Sequence, residues 1–307
     1  MTDEKYKEAS LILATDAQRL ANALEAILPK ILPVAHWDKV QEAFRYAPGA
    51  LENPVIFCWL KLTGAVATVV PMCSLMAIRS CFAAAILSRS IHESLLSIYF
   101  MMPQPGASEW PNDKQKTALQ NFCKEIWDDY LRPFETEKNT SQIRLDDLCA
   151  SFGKHVGGQP EANPHDMTQT ARHLMMFFSN YTHMGYPALM ELFRDPQPRL
   201  SGKEDIHGYF TLHQAAKVLA EVCHVTSALL IRHDRGMEEF TADHKKELRE
   251  LFQQQKKVVD AISQRLEAGF SRGDCSKQIL RAFKKGKPID DLLDAPNPAK
   301  TQLKGEV

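Results

Sequence analysis

The sequence lacks the motifs that mark most metal, nucleotide and thiol enzymes. None of its 11 histidines stands three or four residues from another, so no helix offers the two-histidine face of zinc hydrolases. The Gly-Gly pair at 157–158 is not followed by Gly-Lys-Ser/Thr, and no G-x-G-x-x-G occurs, which argues against nucleotide hydrolases and dinucleotide oxidoreductases. We therefore expect no metal and no cofactor.

The sequence also lacks paired cysteines and an excess of one charge. Its seven cysteines form no C-x-x-C pair, and Cys73, Cys81 and Cys223 stand in apolar helical surroundings, where a free thiol behaves as a small hydrophobe. The 37 basic and 38 acidic residues exclude the overall basic field of proteins that coat nucleic acid, so an RNA contact would need a local patch. The polar opening MTDEKYKEAS is unlike a secretory signal. These features predict a reduced, cytoplasmic protein.

One uncharged run raises the question of a membrane. Seventeen residues, 62–78, carry no charge, whereas a spanning helix needs about 20 mostly apolar residues. The run is mixed in polarity, and Lys61 and Arg79 bound it. We therefore expect a buried core helix rather than a membrane span.

Helical periodicity dominates the chain, and no pair of alternating strands joined by a hairpin turn is evident. The fold class predicted is all-α: a helical bundle over 1–240, an amphipathic C-terminal helical region over 241–282 that could bind a partner, and a disordered tail over 283–307. Asn53 is predicted to cap a long helix that Pro71 kinks or divides. A polar, mobile loop is predicted between 132 and 165. The predicted helices are 3–28, 37–46, 54 onward to about 102, 112–131, 166–184, 209–233 and 243–268.

Three charged side chains interrupt an apolar helix in ILSRSIHESLLSIYF, residues 86–100. Arg89, His92 and Glu93 share a helix face with apolar neighbours, because residues three and four apart lie above one another. A surface helix would place these charges on its opposite side. The segment is therefore either buried with an internal Arg89–Glu93 pair or lines a cleft.

A second polar group lies in FFSNYTHMGY, residues 177–186. Ser179 and His183 are four residues apart and should share a helix face, with Asn180 beside them and Tyr181 in the same stretch. If this helix packs on the one that carries Arg89, the two would enclose a polar pocket, as facing helices of bundles often do.

These two segments together resemble a known group of proteins. The L-x-R-S-x-x-E helix in LSRSIHESLLSIYF and the Y-x-H in NYTHMG are similar to motifs of uncharacterised bacterial all-helical proteins near the HEPN (higher eukaryotes and prokaryotes nucleotide-binding) bundles. The resemblance covers roughly residues 50–235. It implies a compact helical bundle, often a homodimer, that works in bacterial defence or stress settings.

The resemblance also implies RNA cleavage, but this sequence departs from the motif that carries it. Active HEPN proteins cut RNA without metal, with an arginine four to six residues before a histidine, usually in a dimer cleft. His183 matches the histidine, but the arginine is missing, because residues 176–179 are Met-Phe-Phe-Ser. Arg172 lies too far before His183 to replace it. Arg89 of the neighbouring helix could supply the guanidinium, because phosphate stabilisation depends on position in space.

The mechanism would then assign roles to seven side chains at one site. His183 would exchange the proton of the ribose hydroxyl or the leaving oxygen, Arg89 would hold the phosphate, and Glu93 would orient Arg89. Ser179 or Asn180 would hydrogen-bond the phosphate or the histidine ring, and Tyr181 is a further candidate for binding. His92 is an alternative base if it reaches the cleft.

A structural role for the same residues is the alternative. Arg89 and Glu93 can form a buried ion pair inside a non-catalytic interaction module, in which case removing either partner should cost roughly 3–5 kcal/mol. His183 can be a helix-capping residue. A small-molecule sensor that uses the same pocket is a third possibility.

Overall fold

The computed structural model describes residues 3–32, 36–38, 43–45, 52–78, 80–131, 143–156, 163–183, 208–232 and 242–270. Eight helices of 12 to 29 residues pack together, and one short helix follows the first. The all-α prediction is therefore confirmed for this part of the chain. The helices are α1 (Asp3–Glu25), α2 (Leu28–Ile31), α3 (Pro54–Ala77), α4 (Cys81–Met101), α5 (Asp113–Leu131), α6 (Leu145–Val156), α7 (Pro164–Thr182), α8 (Gly208–Arg232) and α9 (Ala242–Phe270).

The helix predicted over 37–46 is wrong. Two three-residue strands, β1 (His36–Asp38) and β2 (Ala43–Arg45), pair antiparallel there, with Trp37 opposite Phe44. Aromatic residues favour such paired positions. Ten residues are also too few for helical spacing to be distinguished reliably from short strands.

The predicted cap of α3 is confirmed, but Pro71 does not divide the helix. Asn53 Oδ1 accepts a hydrogen bond from Val55 N at 2.8 Å, and Pro54 occupies the first turn. The helix continues through Pro71, which lies on the exposed side, and ends at Ala77. A short turn before α4 therefore separates the two helices.

The polar loop predicted between 132 and 165 contains a helix. The segment LDDLCASFGKHV forms α6, which packs on α7 and buries Leu148 and Cys149. Residues 132–142 and 157–162, like the tail predicted from 283, lie outside the described residues.

Most helices contribute to one apolar core. Large side chains of α1, α3, α4, α8 and α9 are buried in it, and Trp59 stacks on Phe252 with ring centroids 6.3 Å apart. The predicted C-terminal amphipathic helix, α9, packs on α8 and α1 and buries Phe252, Val259 and Ile262. Its apolar side therefore belongs to the same core as the preceding helices.

Among the described residues, α3 is the one helix long and apolar enough to cross a membrane, and half of its most apolar stretch is buried inside the bundle. Core helices of soluble proteins share these properties. The buried residues of α3 include Trp59, Leu62, Val69 and Met72.

Candidate functional site

Helix α4 runs antiparallel to α7, and this arrangement positions the candidate residues. Phe82, near the start of α4, contacts Tyr181 near the end of α7, with ring centroids 5.5 Å apart. Arg89, two turns further along α4, reaches Met175 of α7. A small second core of Ala85, Phe178 and Tyr181 joins the two helices. The motif helices therefore touch, as the sequence-based hypothesis requires.

Arg89 ties α4 to the backbone of α7. Its Nη1 donates to the carbonyl oxygen of Met175 at 2.8 Å, and its Nη2 donates to Glu93 Oε1 at 3.2 Å. The Arg89 side chain is 19% exposed, whereas that of Glu93 is 53% exposed. The pair is therefore not the buried ion pair considered as one alternative from the sequence, because the Glu93 carboxylate lies at the edge of the bundle.

His92 is the buried member of the charged trio. It is 6% exposed, and its ring stacks on Phe178 with centroids 5.3 Å apart. Its Nδ1 lies 3.7 Å from Oε2 of Glu221 on α8, a carboxyl that is 22% exposed. His92, considered from the sequence as an alternative base, is therefore part of a contact between α4, α7 and α8.

Burial shifts both partners of this contact toward their uncharged forms. Burial, and to a smaller extent the nearby Arg89 guanidinium, lower the pKa of His92 from 6.5 to about 4. Burial raises the pKa of Glu221 from 4.5 to about 7. Near neutral pH the imidazole is therefore uncharged, and the carboxyl group of Glu221 is protonated more readily than that of an exposed glutamate.

His183 lies apart from Arg89. It is exposed and ends α7, where its backbone N–H donates to the carbonyl of Ser179 at 2.9 Å. Eight residues separate it from Met175, the partner of Arg89, which is about 12 Å along a helix axis. Because the helices are antiparallel, His183 lies toward the start of α4. The structure does not bring the two proposed catalytic groups together.

The remaining candidates around His183 have different surroundings. Tyr181 is buried against Phe82 and Phe177, and Ser179 is half-buried. Asn180 lies within α7, but its side chain is outside what the structure describes. Tyr181 is therefore placed as a packing residue.

A second arginine, Arg172, lies at the junction of α4, α6 and α7. Its Nη2 pairs with Asp146 of α6 at 2.8 Å. Arg172 and Arg89 both lower the pKa of the buried Cys149 thiol, although burial has the larger effect and raises it. Two guanidinium groups and two carboxylates, those of Glu93 and Asp146, thus surround one three-helix junction.

Sequence reasoning missed Glu221 and set Arg172 aside as too distant from His183. Glu221 stands in the apolar run AAKVLAEVCHVTSALL of α8, so the signal that singled out α4, a charge within an apolar helix, was also present there. Arg172 gave no such signal, because it lies in the polar first half of α7. The ion pair of Arg172 depends on α6, which lies in a segment that the sequence predicted as a loop.

A cleft of about 490 Å³ lies between α5 and α6. A Lys114–Asp147 ion pair of 2.9 Å bridges its walls, which also include Phe100 and Arg144. None of the sequence-predicted site residues lines it. In the part of the chain that is described, no three His, Cys, Asp or Glu side chains lie close enough to hold a metal ion.

No protein-family model matches the chain, and neither a curated protein nor a solved structure does. The contacts of the described residues are therefore the basis of the functional proposal.

Proposed function

We propose that this protein is a HEPN-like helical bundle that works as a non-catalytic interaction module in the bacterial cytoplasm. The observation that supports this is the Arg89 contact with the Met175 carbonyl at 2.8 Å. Both terminal nitrogens of the Arg89 guanidinium already donate to protein oxygens. One oxygen is the backbone carbonyl of Met175 in α7, and the other belongs to the Glu93 carboxylate. A group occupied in this way holds two helices together and has little freedom to hold a phosphate.

The partner that we propose is a second copy of the chain, which meets the first through α7. Met176 lies beside Met175 but is 63% exposed, and partly buried Leu174 and Phe177 lie on either side of it in sequence. Methionine and aromatic side chains are common at protein interfaces. The polar outer face of α9 remains available for a different protein.

Sedimentation of the full chain tests the homodimer. Met176→Glu should convert dimers to monomers, since a carboxylate in an apolar interface is costly to desolvate. Leu11 on α1 is 60% exposed, so Leu11→Glu is a matched control that should leave the dimer intact. A wild-type monomer at high concentration, or equal dissociation by both variants, would contradict dimerisation through α7.

An RNA-directed activity is the second candidate, with catalysis by His183, Arg89 and Glu93. The observation that favours it is the approach of Arg89 and Arg172 to one junction, since paired guanidinium groups suit phosphate. Such a site would need Arg89 to leave Met175 and move toward His183.

Incubation of total RNA and tRNA with purified protein and EDTA separates the two candidates. Under the interaction-module proposal, the wild type and His183→Ala leave RNA intact at high protein concentration. Cleavage by the wild type that disappears in a folded His183→Ala variant would overturn that proposal and establish a metal-independent ribonuclease.

A further inference from the structure

The cleft between α5 and α6 has the size of a small-molecule site and takes no part in the functions proposed above. Its volume is about 490 Å³, and typical ligand pockets measure roughly 300–1,000 Å³. Such pockets combine an apolar surface with a few polar groups that fix the orientation of the ligand. The side chains that line the cleft therefore indicate what class of molecule fits it.

The inner part of the cleft is apolar and rests on a fixed support. Its apolar lining residues are Phe100 at the end of α4, Ala118 of α5 and Ile143, which precedes α6. Phe100 and Ala118 are buried. Gln115, which is 1% exposed, donates from Nε2 to the backbone carbonyl of Phe100 at 2.7 Å and so joins α5 to α4. An apolar group of a ligand gains free energy when it covers such a surface.

The acidic side chains of the lining lie beside lysines. Asp147 of α6 pairs with Lys114 of α5, with Oδ1 and Nζ 2.9 Å apart. Asp113 is fully exposed to solvent, and its Oδ1 lies 3.9 Å from Nζ of Lys116. A nearby cation offsets the field of a carboxylate. The two aspartates therefore repel an anion in the cleft only weakly.

Arg144 supplies the positive charge of the lining that no carboxylate balances. It immediately precedes α6, is exposed, and forms no side-chain hydrogen bond or ion pair with any residue that the structure describes. In this respect Arg144 differs from Arg89, whose terminal nitrogens are both occupied. A planar guanidinium can donate two parallel hydrogen bonds to one carboxylate or phosphate group. Arg144 is therefore suited to hold the charged end of a ligand.

We propose that this cleft binds a small organic anion. The apolar body of the ligand lies against Phe100, Ala118 and Ile143, and its carboxylate, sulfonate or phosphate group is held by Arg144. Thr117 and Asn121 of α5 line the same cleft and offer a hydroxyl and an amide to polar atoms of the ligand. The proposal is independent of both functions considered above, because neither of them uses these residues.

Two fluorescent probes with the same aromatic rings test the site on the full chain. Anilinonaphthalene sulfonate carries one negative charge, whereas phenylnaphthylamine is neutral. We expect both probes to bind the wild type saturably. Arg144→Gln should raise the Kd of the sulfonate at least roughly tenfold, because a charge-assisted hydrogen bond is lost, and should leave the Kd of the neutral probe within about twofold. Arg144→Lys keeps the charge and should retain most of the affinity.

Two further variants show where the probes bind. Arg249→Gln removes an exposed arginine of α9, away from the cleft, and should leave both Kd values unchanged. Thr117→Phe places a large side chain in the cleft from an exposed position of α5 and should weaken both probes roughly tenfold.

Four outcomes would overturn the proposal. They are the absence of saturable binding to the wild type, equal loss of sulfonate binding in Arg144→Gln and Arg249→Gln, equal weakening of both probes by Arg144→Gln, and unchanged binding to Thr117→Phe. Circular dichroism checks that each variant is folded, as expected for substitutions at exposed positions. If Thr117→Phe is not folded, Thr117→Glu takes its place, and its added carboxylate should weaken the sulfonate more than the neutral probe.

Discussion

Arg89 and Glu93 are unequal partners in the structure, although their spacing makes them equivalent in sequence. The Arg89 side chain is mostly buried and bonds to a neighbouring helix, whereas the Glu93 carboxylate is half-exposed and bonds to Arg89 of its own helix. Exposed ion pairs contribute little because water solvates both charges. The stability of the α4–α7 contact therefore depends on the arginine.

We expect Glu93→Ala to cost less than about 1 kcal/mol in the free energy of unfolding. Arg89→Ala should cost about 1.5–3 kcal/mol, because it removes a charge-assisted bond to Met175 and the packing of the side chain. Urea unfolding measures both, with Arg89→Lys as the control that keeps the charge. Equal costs for the two alanine variants would show that the ion pair, rather than the carbonyl contact, is what matters.

Two helical glycines should respond to alanine with opposite signs. A Cβ at Gly153 of α6 would clash with Thr168 Oγ1 and lie 2.5 Å from the Pro164 carbonyl of α7, whereas one at Gly64 of α3 would meet nothing within 4 Å. We expect Gly153→Ala to destabilise by about 1–3 kcal/mol. Gly64→Ala should stabilise by about 0.5–1 kcal/mol, because alanine favours the helix. Thermal melting of both variants checks this, and stabilisation by Gly153→Ala would show that α6 and α7 are further apart.

At the scale of helices and strands, local signals located the helix starts well. Asn53, the cap predicted from the sequence, and Asn163, which was not predicted as one, each accept a hydrogen bond from the backbone N–H two residues later, and a proline follows each of them. Such caps act within one turn, so sequence alone can reveal them. The β1–β2 hairpin depends on pairing between separate segments and was missed for that reason.

Replacing the cap of α3 tests how much this local signal contributes. Asn53→Ala should cost about 1 kcal/mol, because the N–H of Val55 loses its acceptor. Asn53→Ser keeps an acceptor and should recover most of that loss in the same chemical denaturation series. If serine were as destabilising as alanine, the contribution of Asn53 would lie in packing and not in capping.

At the scale of the whole molecule, one core joins helices that are distant in sequence, and it encloses thiols. Cys58, Cys73, Cys149 and Cys223 are buried and free. Burial raises the pKa of the Cys73 thiol to about 12 and also raises that of Cys58. Thiolates, the reactive form, are therefore scarce at these positions near neutral pH.

Thiol labelling should report opening of the core. At pH 7.5 we expect these four cysteines to react with iodoacetamide at least tenfold more slowly than in urea, because both access and ionisation are suppressed. Peptide mapping by mass spectrometry measures each site separately. Rapid native labelling of Cys73 or Cys223 would mean that α3 and α8 separate readily.

The sequence by itself determined the all-α class and most helix bounds, because periodicity and capping depend on residues within one or two turns. It also singled out α4, since charges within an apolar helix are visible in one dimension. Only the tertiary structure decided the partners of those charges. Arg89 meets a backbone carbonyl of α7, His92 meets Glu221 of α8, and His183 lies at the exposed end of α7. Such contacts follow from the direction and register of helix packing, which residue spacing along one helix does not encode.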